Sequence, residues 1–329
     1  MYASCQIVQG FKRSLISDLF KHRIQLIPND LANILIENFD KSLQEIKNKY
    51  DNKYSGTIDE YFKFLVDKEY GFFTDEPERF PKMMETFRFP AHITNAVLDI
   101  NKSSLHDYTL IIDKLNEIGC VSLDIRIFEP INKKLLKNIF QAVEESRLRS
   151  LRLIIPASMK FSLEELNKYC DSNARIQAIY LHSAEKNLNF SSELFCVPIN
   201  LRKQKVASPA TCGFVDEKLM VSNIQAFMES KKFNNCLNKK LSIDTEGNIK
   251  NCSQMNKEFG NIHSSNIVET VNSESFQKLW KINKDQIKIC QDCEYRYNCI
   301  DCRAILTDEQ DPFSKPKHCS YDPYNATWM

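Results

Sequence analysis

The chain has 329 residues, and its 44 basic and 43 acidic side chains leave a net charge of +1, too balanced for the concentrated basic face that nucleic acid or an anionic membrane surface requires. Only seven glycines occur, and no Walker-type or G-x-G-x-x-G sequence is present, which argues against ATP or dinucleotide binding. No apolar run reaches membrane-spanning length and the first residues lack a signal-peptide core, so the expected location is cytoplasmic, where twelve cysteines point to metal or cluster ligation rather than disulfides.

Residues 1–85 open with strand-like runs at 6–8, 13–16 and 23–27, the last ending at Pro28. Asn29 is placed to cap a helix over 31–37. Helices over 42–49 and 58–69 follow, the second with Thr57 as cap and Glu60 three residues on as a capping box. An apolar run over 71–75 predicts a closing strand. Short strands, three helices and a final strand describe a winged-helix-like module.

Residues 88–205 alternate strand and helix. Strands are expected over 93–100, 122–128, 151–155 and 176–182, with amphipathic helices over 105–118, 133–146 and 163–170. Repeated β-α units of this length predict a parallel sheet with right-handed crossovers, as a partial barrel or an open α/β sheet. Pro90, Pro130 and Pro156 fall at strand ends, where a missing N–H is tolerated.

Residues 206–329 begin with a hairpin: KKLSID, a turn at Glu246, Gly247 and Asn248, then IKNC with Cys252 at its end. A helix is expected over 273–282. The remainder is loop-rich with little apolar periodicity, a composition that bound metal would stabilise.

That last segment holds most of the chemistry. Its cysteines read Cys236, Cys252, then Cys290-x2-Cys293-x5-Cys299-x2-Cys302, then Cys319. Thiolates two residues apart can grip one metal centre from a single turn, and two such pairs with distant partners supply sulfur for two centres. Spacing alone does not separate zinc from iron–sulfur. The element Gly247-x4-Cys252 and the five-residue gap favour iron–sulfur; a zinc-stabilised, non-catalytic binding module is the alternative. Cys5, Cys120, Cys170 and Cys196 stand in apolar or helical contexts and read as buried structural thiols. The histidines are isolated. His106 reads as a solvated loop residue, and His318 is placed to hydrogen-bond a sulfur. Arg296 and Arg303 could offset the negative charge of a thiolate-ligated cluster. The stretch Glu294–Tyr297 could pack over the sulfurs or touch a partner. Glu129 reads as a strand-end carboxylate paired with a nearby cation, and Lys231, Lys232, Lys239 and Lys240 as solvated faces.

The cysteine pattern resembles the SPASM domain, which carries auxiliary 4Fe–4S clusters in many radical S-adenosylmethionine enzymes. The resemblance implies two clusters, one on Cys290, Cys293, Cys299 and Cys319, the other on Cys236, Cys252 and Cys302, with Cys212 as fourth ligand. Two residues separate Cys299 and Cys302, where the family usually has three. The middle segment resembles the radical S-adenosylmethionine partial barrel stripped of its catalytic parts. No Cys-x3-Cys-x2-Cys occurs: the loop expected to carry it reads Asn101 to Asp107 without a thiol. The Gly-Gly-Glu-Pro of the second strand's end is replaced by Ile127-Phe128-Glu129-Pro130. Both losses argue against S-adenosylmethionine chemistry.

The N-terminal phrases HRIQLIPNDLANIL and YGFFTDEP resemble peptide-recognition domains of ribosomal peptide maturation, such as the peptide chaperone of pyrroloquinoline quinone biosynthesis. Together the segments look like the SPASM protein of grasp-with-spasm systems. The resemblance implies a degenerate radical-enzyme barrel between a winged-helix-like module and a loop-rich SPASM domain. It also implies maturation of a ribosomally synthesised, post-translationally modified peptide, with a precursor peptide and an ATP-grasp ligase as partners. A redox peptide-modifying enzyme is a further alternative, and no catalytic residue is assigned.

Overall fold

The computed structural model describes residues 1–190, 197–213 and 215–329. In chain order it begins with β1 (Cys5–Gln9), β2 (Ser14–Asp18) and β3 (Arg23–Ile27), then α1 (Asn29–Glu37), α2 (Leu43–Lys49) and α3 (Ser55–Asp67). The alternating part is β4 (Asn95–Ile100), α4 (Tyr108–Glu117), β5 (Ser122–Ile127), α5 (Lys133–Glu144), β6 (Ser150–Pro156), α6 (Leu163–Ser172) and β7 (Ile176–His182). Then come β8 (Leu188–Phe190), β9 (Ile199–Leu201), α7 (Ile224–Ser230), β10 (Lys240–Ile243), β11 (Ile249–Lys250), α8 (Ile267–Asn272), α9 (Glu274–Gln277), β12 (Tyr321–Asp322) and β13 (Thr327–Trp328).

These elements form two compact units that interleave along the chain. The first comprises Met1–Arg88, Phe214–Cys236 and Lys281–Met329; the second comprises Phe89–Gly213 and Leu237–Trp280. The sequence had suggested three consecutive segments, 1–85, 88–205 and 206–329, because pairing between distant stretches leaves no local signature.

The first unit is organised by an antiparallel sheet of order β1-β2-β3. All five residues of central β2 are buried. Successive side chains of a strand point to opposite faces, and β2 uses both. Ile16 packs with Leu31 of α1 and Leu65 of α3. Leu15 and Val8 pack with Phe227, Tyr295, Cys299 and Tyr321. The N-terminal sheet and the cysteine-rich tail therefore share one core.

Several expectations change here. Asn29 is the first residue of α1, behind Pro28, and makes no cap bond. Its side chain accepts from Ser14 Oγ at 2.6 Å and donates to the carbonyl of Phe11 at 3.0 Å, pinning the helix start to the β1–β2 turn. Helix α3 begins at Ser55 with no side-chain cap, so the Thr57–Glu60 capping box does not form. Ser42 makes one instead at the start of α2. Residues 71–75 form no strand. Their apolar character serves ring contacts: Phe72 on Tyr2 and Phe80, Phe73 on Phe62.

The second unit holds an eight-stranded sheet of order β11-β10-β4-β5-β6-β7-β9-β8. β10, β4, β5, β6, β7 and β9 run parallel, with antiparallel β11 and β8 at the two edges. Central β4 is buried from Ala96 to Ile100, with Asp99 the single charge among apolar residues. The hairpin around Gly247 forms as expected, and Gly247 takes φ +87, which a side chain would strain. Asp107 caps α4 by accepting from the amide of Leu110 at 3.0 Å, so the helix starts three residues later than expected. The helix expected over 273–282 is only the four residues of α9, continued by a 3-10 turn over Lys278–Lys281.

Candidate metal centre

In the first unit, turns bring four of the expected ligands together. Ile289, at φ 69, reverses the chain just before a 3-10 turn over Cys290–Asp292. The amide of Cys293 donates to the carbonyl of Cys290 at 3.0 Å, which is how a two-residue gap places two thiols on one turn. A second turn follows, with the amide of Cys299 donating to Tyr295. Cys290 and Cys299 are buried, Cys293 and Cys319 half-buried. Burial pushes the Cys290 thiol up to about 11, against the pull of Lys284, with Asp301, Cys299 and Cys319 adding to it. Burial also raises Cys293, with Glu294, Cys299 and Cys290 contributing. The four sulfurs thus lie in one another's field. Among the described residues no three His, Cys, Asp or Glu side chains stand at the spacing of ligands to a single ion.

The chemistry of this donor set fits a thiolate-bound iron–sulfur cluster. Each ligating thiol gives up its proton on binding a metal centre, and a nearby cation favours that loss. A buried cation already faces them: Lys284 Nζ lies 3.3 Å from Cys299 Sγ.

The other four expected ligands divide between the units. In the first, the amide of Cys236 donates to Asn234 Oδ1 at 3.1 Å, and Asn234 Nδ2 donates to Asp301, the neighbour of buried Cys302, at 2.6 Å. In the second, exposed Cys212 and half-buried Cys252 both act on the Arg126 guanidinium. Burial lowers the Arg126 pKa, but its bidentate contact with buried Asp99, at 2.6 and 2.8 Å, and the two thiols raise it further.

Several single-residue expectations are corrected. Arg296 does not face the sulfurs; it binds Asp285 at 2.9 Å and the carbonyls of Gln9 and Cys293. Arg303 is spent on Asp301 at 2.7 Å and on the carbonyls of Pro312 and Ser314. His106 is half-buried rather than solvated, its Nε2 3.0 Å from the Asp99 carbonyl and its ring stacked on His263. Burial lowers its pKa. Glu129 is exposed and forms no ion pair among the described residues. Lys231 is no solvated face: it pairs with Glu85 at 2.5 Å and lies over the Tyr297 ring. Lys239 reaches the Ala91 carbonyl.

Cys5, Cys120 and Cys170 are buried as expected, while Cys196 lies outside the described residues. Tyr295 and Tyr297 pack beside Cys293, Cys299 and Cys319. Glu294 is buried, bound by Arg13 at 2.7 Å and by the Tyr321 hydroxyl. Lys284, Asp301 and Arg13 escaped the sequence reading, because isolated charges carry no spacing signal.

A family model for an iron–sulfur cluster-binding domain, SPASM, matches residues 235–294. A SPASM iron–sulfur cluster-binding domain is found there. The match takes in Cys236, Cys252, Cys290 and Cys293 of the eight expected ligands. No curated protein matches the chain. Among the described residues no helix is long and apolar enough to cross a membrane.

Proposed function

We propose that this chain binds two 4Fe–4S clusters and serves the maturation of a ribosomally synthesised peptide, capturing the precursor and presenting it to an ATP-grasp ligase. One cluster would be held by Cys290, Cys293, Cys299 and Cys319, all in the first unit. Such clusters bring electron transfer or rigid support to the segment that holds them. The observation that carries the reading is the shared core of the first unit: Val8 and Leu15 of the N-terminal sheet pack with Cys299 and Tyr295 of the cysteine-rich tail. A peptide joined to that sheet would lie on the same compact body as the thiols.

β1 and β3 are the edges of that sheet, where strand addition would occur. Four of the five residues of β3 are half-exposed. S-adenosylmethionine cleavage is not part of the proposal. Ser103 and Ser104 in the loop after β4 close on Asn101, and Ile127 and Phe128 at the end of β5 are buried.

Anaerobic purification followed by iron, sulfide and zinc analysis tests the metal. Iron and sulfide near four each per cluster are expected; a colourless zinc protein would reject the clusters. Fluorescence anisotropy with labelled synthetic peptides, encoded beside the gene, tests capture. Release of 5′-deoxyadenosine from S-adenosylmethionine and dithionite would overturn the non-cleaving reading.

A further inference from the structure

Lys284 opens a 3-10 turn over Lys284–Gln286 and, although a lysine, is only 5% exposed. Lysines are rarely buried without a partner. Its Nζ lies 3.3 Å from Cys299 Sγ and 3.8 Å from Asp301 Oδ1. Asp301 is already bound: Arg303 Nη2 donates to it at 2.7 Å and Asn234 Nδ2 at 2.6 Å, the Arg303 and Asp301 side chains each being 1% exposed. One carboxylate thus faces two cations. The surplus positive charge is Lys284's, and water cannot dilute it. The other group in contact with it is the sulfur of Cys299.

We propose that Lys284 is a positioning residue for the cluster of Cys290, Cys293, Cys299 and Cys319: its ammonium donates to the Cys299 sulfur and favours the cluster's reduced state. This rests on the cluster reading above. Adding one electron to a thiolate-bound cluster adds one negative charge. A buried cation against a ligand sulfur steadies that charge, and hydrogen bonds to sulfur and burial are what set such potentials. Arg303 cannot substitute, because its guanidinium is held by Asp301 and two carbonyls.

The test compares wild-type protein with K284M and K284R after anaerobic reconstitution with iron and sulfide. Iron content, electron paramagnetic resonance after dithionite supplies the electron, and the midpoint potential from a mediated titration are read for each. K284M with wild-type iron is expected to show one signal moved to more negative potential, with K284R close to wild type. An unmoved potential in iron-replete K284M overturns the inference and leaves the cluster reading standing. If K284M loses iron, K284R decides: retained iron supports the need for a cation. Equal loss in both variants, with native circular dichroism, overturns it. Wild-type protein that takes up no iron overturns the cluster reading and this inference with it.

Discussion

Gly10 shows how closely the two ends of the chain are fitted in the first unit. A Cβ there would stand 2.6 Å from the Arg13 carbonyl, 2.8 Å from the Glu294 amide and 2.9 Å from Glu294 Cβ. Two of these are backbone and the third is the base of a buried side chain, with little freedom to retreat. The amide of Phe11 also donates to the carbonyl of Asp292 at 2.8 Å, so the turn is bound to the residue before Cys293. Gly10→Ala is therefore expected to destabilise the protein by about 1–3 kcal/mol, the range for overpacking. Urea unfolding checks it; a midpoint equal to wild type would show that the turn can shift freely. For the thiols, Cys290→Ser is expected to cost the cluster proposed for Cys290, Cys293, Cys299 and Cys319, read as a drop in iron of roughly four per chain. Undiminished iron would remove Cys290 from the ligand set.

At the scale of elements, the parallel sheet was the most legible part. Strands β4 to β7 carry apolar residues at alternate or successive positions and are separated by amphipathic helices, and that alternation of strand and helix has few other solutions. What the sequence did not yield were the additions to it. β8 and β9 have three residues each, too short to show a period. β10 joins β4 across more than a hundred residues, and parallel pairing at that distance depends on the fold, not on neighbours. The opposite error came at 71–75, where apolar residues without a strand to pair with were used for ring packing. In the cysteine segment the paired thiols are visible as spacing, but Lys284 is not.

The pair Asp99–Arg126 illustrates the same point. It links β4 to β5 at matching register, and nothing local announces it. Because Asp99 is buried and Arg126 nearly so, Asp99→Ala would leave a guanidinium without its carboxylate. A loss of about 3–5 kcal/mol is expected, as for other broken buried pairs. Thermal unfolding followed by circular dichroism measures it, and a loss below about 1 kcal/mol would mean the guanidinium behaves as if exposed.

For the molecule as a whole, the interleaved chain predicts where metal removal is felt. Core residues Val8, Leu15 and Leu19 of the N-terminal segment lie against Tyr295, Cys299 and Tyr321 of the tail. The tail has little regular structure: between α9 and β12 only short 3-10 turns occur. Its order must come from packing and from whatever its thiols hold, and binding to the folded state stabilises what it orders. Removing metal should thus loosen one face of the N-terminal sheet as well as the tail. The strands β5 and β6 pack through Leu123, Ile125, Leu151 and Leu153, which belong to the other unit's buried core. Hydrogen exchange followed by mass spectrometry, with and without an iron chelator under reducing conditions, separates the two. Amides of β1 and β2 are expected to exchange at least tenfold faster after removal, a loss of about 1.4 kcal/mol or more in local opening energy. Amides of β5 and β6 should keep their protection. Equal protection of β2 with and without metal would show that the sheet is ordered by packing alone, and that the tail's thiols stabilise nothing beyond themselves.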